Sequence, residues 1–124
     1  MKYLLDSNII IALTMDANTG VVGRAAECLD GDLVTSAIAI AEVAHGSLRG
    51  KPPAFGQLKA FLEEVPVLAF DFAAASAYAA LPFRRRSYDR LIAAQALSQN
   101  LIMVTDNEKD FSDLPNLKVE NWMA

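Results

Sequence analysis

Four short runs, KYLLD (2–6), DLVTS (32–36), VPVLAF (65–70) and LIMVT (101–105), are apolar almost without a break, and the segments between them have helical character. A strand with one face in water alternates apolar and polar side chains, whereas a strand covered on both faces does not. The runs therefore predict a parallel sheet packed between helices, an α/β protein in βαβα order. The helical stretches are Gly20 to Leu29, Ala37 to Leu48, Ala54 to Glu64, an alanine-rich segment from a capping Asp71 to Leu81, and a segment from a capping Ser87 to Gln99. LKVEN (117–121) is a candidate fifth strand, and Pro66 suits a run at a sheet edge. With 124 residues, 53% of them hydrophobic, the chain can fill one core, so a single domain over 1–124 is expected.

In open parallel sheets the functional cleft lies beyond the carboxyl ends of the strands, where the strand order reverses. The first run ends in Asp6, between YLL and SNIII. A carboxylate buried there without a partner would be costly, which asks what it is for. Glu42 raises the same question in TSAIAIAEVAHG, a helix with hardly another polar side chain, where it aligns with Ala39 and Gly46 in a stripe suited to close approach. Asp89 opens the apolar helix RLIAAQAL, and the fourth run leads into Asp106, Asn107 and Asp110. If the first and fourth runs are neighbours, these groups meet.

Carboxylates gathered in one cleft raise one another's pKa unless a cation compensates them. Mg²⁺ and Mn²⁺ take oxygen ligands of this kind, and ions so held activate water for displacement at phosphorus. Plainer roles also exist. Asp89 would favour a helix dipole, and Asp6 would accept from the backbone of the following helix. Asp71, Asp30 and Asp113 read as caps or loop residues, Glu63-Glu64 as a solvated helix end, and His45 as a packed or capping side chain. There is no Ser/His/Asp set, Cys/His pair or glycine-rich phosphate loop.

The formal net charge of −4 argues against binding nucleic acid by overall attraction. The basic residues are uneven, however: Arg84, Arg85 and Arg86 are consecutive and Arg90 follows one helical turn later, a local patch on an acidic chain. The lone Cys28 can form neither an internal disulfide nor a thiolate pair for zinc, and reads as a small helix-face residue. No apolar run is long enough to cross a bilayer and the start of the chain lacks a signal-peptide pattern, so a cytoplasmic protein is expected.

LLDSNIIIAL, AIAEVAHG, YDRLIAAQAL and LIMVTDNEKDF followed by LKVENW, in that order over nearly the whole chain, resemble the PIN-domain ribonucleases, specifically the VapC-like toxins of toxin–antitoxin pairs. The resemblance implies a three-layer α/β/α sandwich with a central parallel sheet of four to five strands, and a Mg²⁺ or Mn²⁺ site made by acids. Carried over by motif, the acids are Asp6, Glu42 and Asp89, with Asp110 as the expected fourth catalytic acid. Asp106 and Asn107 are further metal-ligand candidates, and the order among these last three stays open. Ser7 and Asn8 stand where the family more often has Thr then Asn, and would orient Asp6.

The resemblance further implies RNA as substrate, a homodimer, and a VapB-like antitoxin that lays a segment across the acids. Ile9 to Leu13 and Phe55 to Leu62 are candidates for the receiving groove, and Arg84 to Arg86 for a grip on the RNA backbone. Two other readings compete. A phosphotransferase with Asp6 as nucleophile usually needs a second acid two residues on, where this chain has Asn8. A catalytically inactive PIN-like module that only binds a protein would keep the acids as a hydrogen-bonded network.

Overall fold

A computed structural model describes residues 1–123 and contains five strands and six α-helices. In chain order these are β1 (Tyr3–Leu5), α1 (Ser7–Thr14), α2 (Thr19–Ala26), β2 (Leu33–Ser36), α3 (Ala37–Ser47), α4 (Phe55–Phe61), β3 (Val67–Leu68), α5 (Phe72–Ala79), α6 (Tyr88–Gln99), β4 (Ile102–Val104) and β5 (Val119–Glu120). The strands form one parallel sheet in the order β3-β2-β1-β4-β5. Leu5 at the end of β1 is level with Thr35 on one side and Val104 on the other. Tyr3, Leu4 and Leu5 point to alternate faces and all three are buried, so helices cover both sides of the sheet. The expected three-layer α/β/α arrangement is what forms.

β3 is shorter than the apolar run suggested and lies at the edge, consistent with Pro66, whose carbonyl still accepts from Thr35 N–H at 3.0 Å. Gln95, buried in α6, ties this weak edge down by donating its amide to the carbonyls of Leu68 and Ala69 at 3.1 and 2.9 Å.

Helix α1 is not among the helical stretches that periodicity predicts, but it is the helix that a capping role for Asp6 implies. SNIIIALT carries three successive β-branched isoleucines, which disfavour a helix, yet it turns helical directly after Asp6. Asp6 Oδ1 accepts the Ser7 N–H at 2.8 Å and its carbonyl accepts from Ile9 and Ile10, so the cap starts a helix that local preference alone would not. Ile9 and Ile10 are fully buried, which places them in the core and not on the groove expected over Ile9 to Leu13. Side-chain caps start α3, α5 and α6 as well: Ser36 accepts from Ile38, Asp71 from Ala74 and Ser87 from Arg90. Leu101 follows Asn100, whose left-handed φ of 55° ends α6 and turns the chain into β4.

Candidate active site

The strand order reverses at β1 and β4, and the acids gather there. Asp6 leaves the end of β1, Glu42 sits in the second turn of α3 just after β2, and Asp89 is the second residue of α6. One carboxylate oxygen from each lies within 4.8 Å of the others. Three residues far apart in the chain converge because two parallel strands and the capped start of a helix all end on one rim.

Asp6 is only 2% exposed. Its Oδ1 accepts from Ser7 N–H and its Oδ2 from the Thr105 hydroxyl, both at 2.8 Å, while its own N–H donates to Val104 O at 3.0 Å. Burial and then the nearby Asp89 charge push its pKa up to about 6, against the lowering effect of the two hydrogen bonds. Glu42 is raised to about 7, by burial first and then by Asp6 and Asp89. Its Oε1 is buried and meets no hydrogen-bond donor among the described residues. Asp89 is also raised, chiefly by burial, with the Asn107 amide opposing the shift and the charges of Asp110 and Asp106 adding to it. None of the ion pairs among the described residues involves any of the three.

The remaining candidates surround this triad, and the Asn107 amide reaches it at Asp89. Asn8 Nδ2 donates to Asp106 Oδ1 at 3.0 Å, so it holds Asp106; Asp6 is oriented instead by the Ser7 backbone and by Thr105. Asn107 donates its side-chain amide to Asp110 Oδ2 at 2.6 Å and its backbone N–H to Thr105 Oγ1 at 3.2 Å. The Asp110 carboxylate also lies 3.9 Å from Arg85 Nη2. A cavity of about 420 Å³ beside the triad is lined by Asp89 and Asp110 together with Arg84 and Arg85.

Arg90 does not belong to the exposed basic patch. It is 5% exposed and gives two guanidinium N–H groups to the Asp113 carboxylate at 2.9 and 3.0 Å, and one to Pro82 O at 2.8 Å. Asp113, read from sequence as a cap or loop residue, accepts from Arg84 too, and Arg90 holds its pKa below the usual carboxylate range. The small stripe on α3 serves the loop after it: a Cβ on Gly46 would meet the Lys51 side chain at 3.6 Å, not a strand end. Thr105 is the residue that sequence reasoning missed. Its signal was a hydroxyl ending an otherwise apolar run, at the level of Asp6.

A family model described as the PIN domain matches residues 3–117. The chain belongs to the PIN domain family. It is 28% identical to the tRNA(fMet)-specific endonuclease VapC of Shigella flexneri over 98% of both chains, and 28% identical to Ribonuclease VapC2 of Rickettsia felis over 98% of both. Among solved structures, VapBC2 from Rickettsia felis bound to a DNA fragment from its promoter superposes with a TM-score of 0.86 at 26% identity, covering 98% of this chain and 99% of that one. VapBC-1 from nontypeable Haemophilus influenzae gives 0.81 at 28% identity over the full length of each.

The PIN-domain triad here suits a hard divalent cation. All its donors are carboxylate oxygens, their spacing allows shared contact with one ion, and the orphaned Glu42 Oε1 lacks the partner that such an ion would supply.

Proposed function

We propose that this protein is a Mg²⁺- or Mn²⁺-dependent endoribonuclease, the toxin of a VapBC-type pair, which hydrolyses RNA phosphodiester bonds. The observation that carries the reading is the convergence of one carboxylate oxygen each from Asp6, Glu42 and Asp89 to within 4.8 Å, with none of the three in an ion pair among the described residues. Such a cluster repels itself when ionised, and a divalent cation relieves that repulsion. The similarity to VapC ribonucleases over nearly the whole chain supports the choice of RNA.

Asp6, Glu42 and Asp89 would hold the ion, with Asp106, Asn107 and Asp110 bordering it. When bound, such an ion lowers the pKa of a water and offsets charge on the phosphate under attack. Thr105 and Ser7 fix both oxygens of Asp6, so that this ligand is set before substrate arrives. Asn8 keeps Asp106 at the rim. Arg84 and Arg85 line the cavity next to Asp89 and would pair with RNA phosphates, as would exposed Arg86.

A VapB-like antitoxin and a homodimeric state are part of this proposal, supported by the VapBC assemblies among the structural neighbours. So is a cytoplasmic location; no helix among the described residues is long and apolar enough to cross a membrane.

The test is cleavage of purified RNA with Mg²⁺, with EDTA, and by Asp89→Asn. The wild type should cut only with the metal, and the variant should be slower by about 100-fold or more, the scale of losing a charged group at a phosphoryl site. Equal cutting by Asp89→Asn would point to a contaminating nuclease and overturn the assignment.

A further inference from the structure

Next to the acids lies a second recess, of about 380 Å³ and mostly apolar, lined by Tyr78, Arg86, Ser87, Tyr88 and Leu91. Tyr88 lines both this recess and a cavity of about 420 Å³ whose walls include Glu42 and His45. It also precedes Asp89 in the chain, so its Cα is about 3.8 Å from that of a proposed metal ligand. The Tyr88 side chain is 61% exposed. An aromatic ring left in water at the edge of a catalytic cleft adds nothing to the core and presents a flat face to whatever enters.

Two features argue for the kind of occupant. The recess is bounded by two tyrosines and one leucine, a short apolar surface suited to one planar group and not to a long peptide. Arg86 borders it, exposed and without an ion pair among the described residues, whereas neighbouring Arg84 and Arg85 approach Asp113 and Asp110. An apolar platform beside a free cation matches a nucleotide, whose base stacks and whose phosphate is anionic.

We infer that Tyr88 is a stacking platform for one unpaired base of an RNA substrate, adjacent to the scissile phosphate, with Arg86 on a flanking phosphate. The inference rests on the nuclease reading above and adds a demand to it. The RNA must be single-stranded at the cleavage point, because a base paired in a helix does not offer its face to Tyr88. Stacking tolerates any base, so Tyr88 contributes affinity and strand state more than sequence preference.

The experiment uses the full chain carrying Asp6→Asn, in EDTA, with single-stranded RNA oligonucleotides bearing 2-aminopurine at successive positions. One position should lose emission on binding. Tyr88→Ala should weaken binding by about 5- to 150-fold, the range for loss of one base–aromatic stack, and Tyr88→Phe and Tyr88→Trp should restore it. An abasic site at the quenched position should reproduce the loss, with no further loss in Tyr88→Ala. Thermal melting of each variant confirms the fold.

Unchanged RNA binding by Tyr88→Ala overturns the inference, and so does a loss that multiplies with the abasic loss. If Tyr88→Ala spares RNA binding but releases a co-purified protein partner, the recess is a protein-docking surface and the inference fails. Wild-type cutting of RNA beside unchanged Tyr88→Ala binding removes the platform alone. Tyr88-dependent binding by a wild type that never cuts removes the nuclease reading alone.

Discussion

The Thr105 hydroxyl, at the end of β4, donates a 2.8 Å hydrogen bond to Asp6 Oδ2, at the end of β1, and in the same place accepts the Asn107 N–H at 3.2 Å. One buried oxygen thus fixes a site carboxylate and the loop carrying the outer acids. Thr105→Val keeps the shape and removes both bonds. Unfolding in urea should show a loss of about 1–3 kcal/mol, the cost of leaving buried partners unsatisfied, and RNA cleavage should fall. Thr105→Ser should recover both. A valine variant as stable and active as the parent would show the bond to be inert.

In EDTA the protein should be more stable at pH 5 than at pH 7.5. The folded state holds the Asp6 proton up to about pH 6 and that of Glu42 to about 7, against ordinary values of 3.8 and 4.5. Between pH 4 and 7 the native state therefore binds more protons than the unfolded chain, and stability falls as pH rises through that window. For deeply buried Asp6 the share is about 2 kcal/mol, and the more open Glu42 contributes less. Melting temperatures across the window check this, and Asp6→Asn should flatten the profile. A melting temperature that climbs from pH 5 to 7.5 would contradict it.

Mn²⁺ should reverse the trend. An ion that displaces protons from the triad binds better when they are already gone, so the rise in melting temperature on adding Mn²⁺ should be larger at pH 7.5 than at pH 5. Asp6→Asn should lose most of that rise. An equal rise in the variant would place the ion elsewhere.

Arg90 and Asp113 form the ion pair that matters for the fold. The Arg90 side chain is 6% exposed, and removing Asp113 would leave its guanidinium with only the Pro82 carbonyl. Asp113→Ala should lower the melting temperature clearly. By contrast Arg85, 79% exposed and 3.9 Å from Asp110, should be replaceable by alanine with no measurable change in melting.

Replacing Arg84, Arg85 and Arg86 with alanine should weaken RNA binding and reduce its salt dependence. Every RNA phosphate deprived of its arginine should lower the slope of log affinity against log salt by roughly 0.7 for a single strand. Binding that is weaker at every salt concentration with the same slope would mean that these arginines touch no phosphate.

Asp6, Glu42 and Asp89 were legible in the sequence for one physical reason: an acid set among apolar or small neighbours needs an explanation that local structure does not give. The parallel sheet was legible because runs buried on both faces do not alternate. Other features lay beyond the reach of the chain read locally. Helix α1 depends on the Asp6 cap overriding three isoleucines. The assignment of Asn8 to Asp106, 98 residues away, exists only once β1 and β4 are side by side. Arg90 looked like one more member of a basic run, and only the fold shows that Asp113 draws it into the interior. Helical periodicity put Gly46 on the Glu42 stripe but could not show that Lys51 packs against it.

The Thr105–Asp6 junction also sets when the site can be completed. Asp6 lacks its Thr105 partner until the growing polymer has passed residue 105 and that part has cleared the ribosomal exit tunnel. Any truncation before residue 105 therefore leaves the Asp6 carboxylate with the Ser7 N–H as its one hydrogen bond among the described residues.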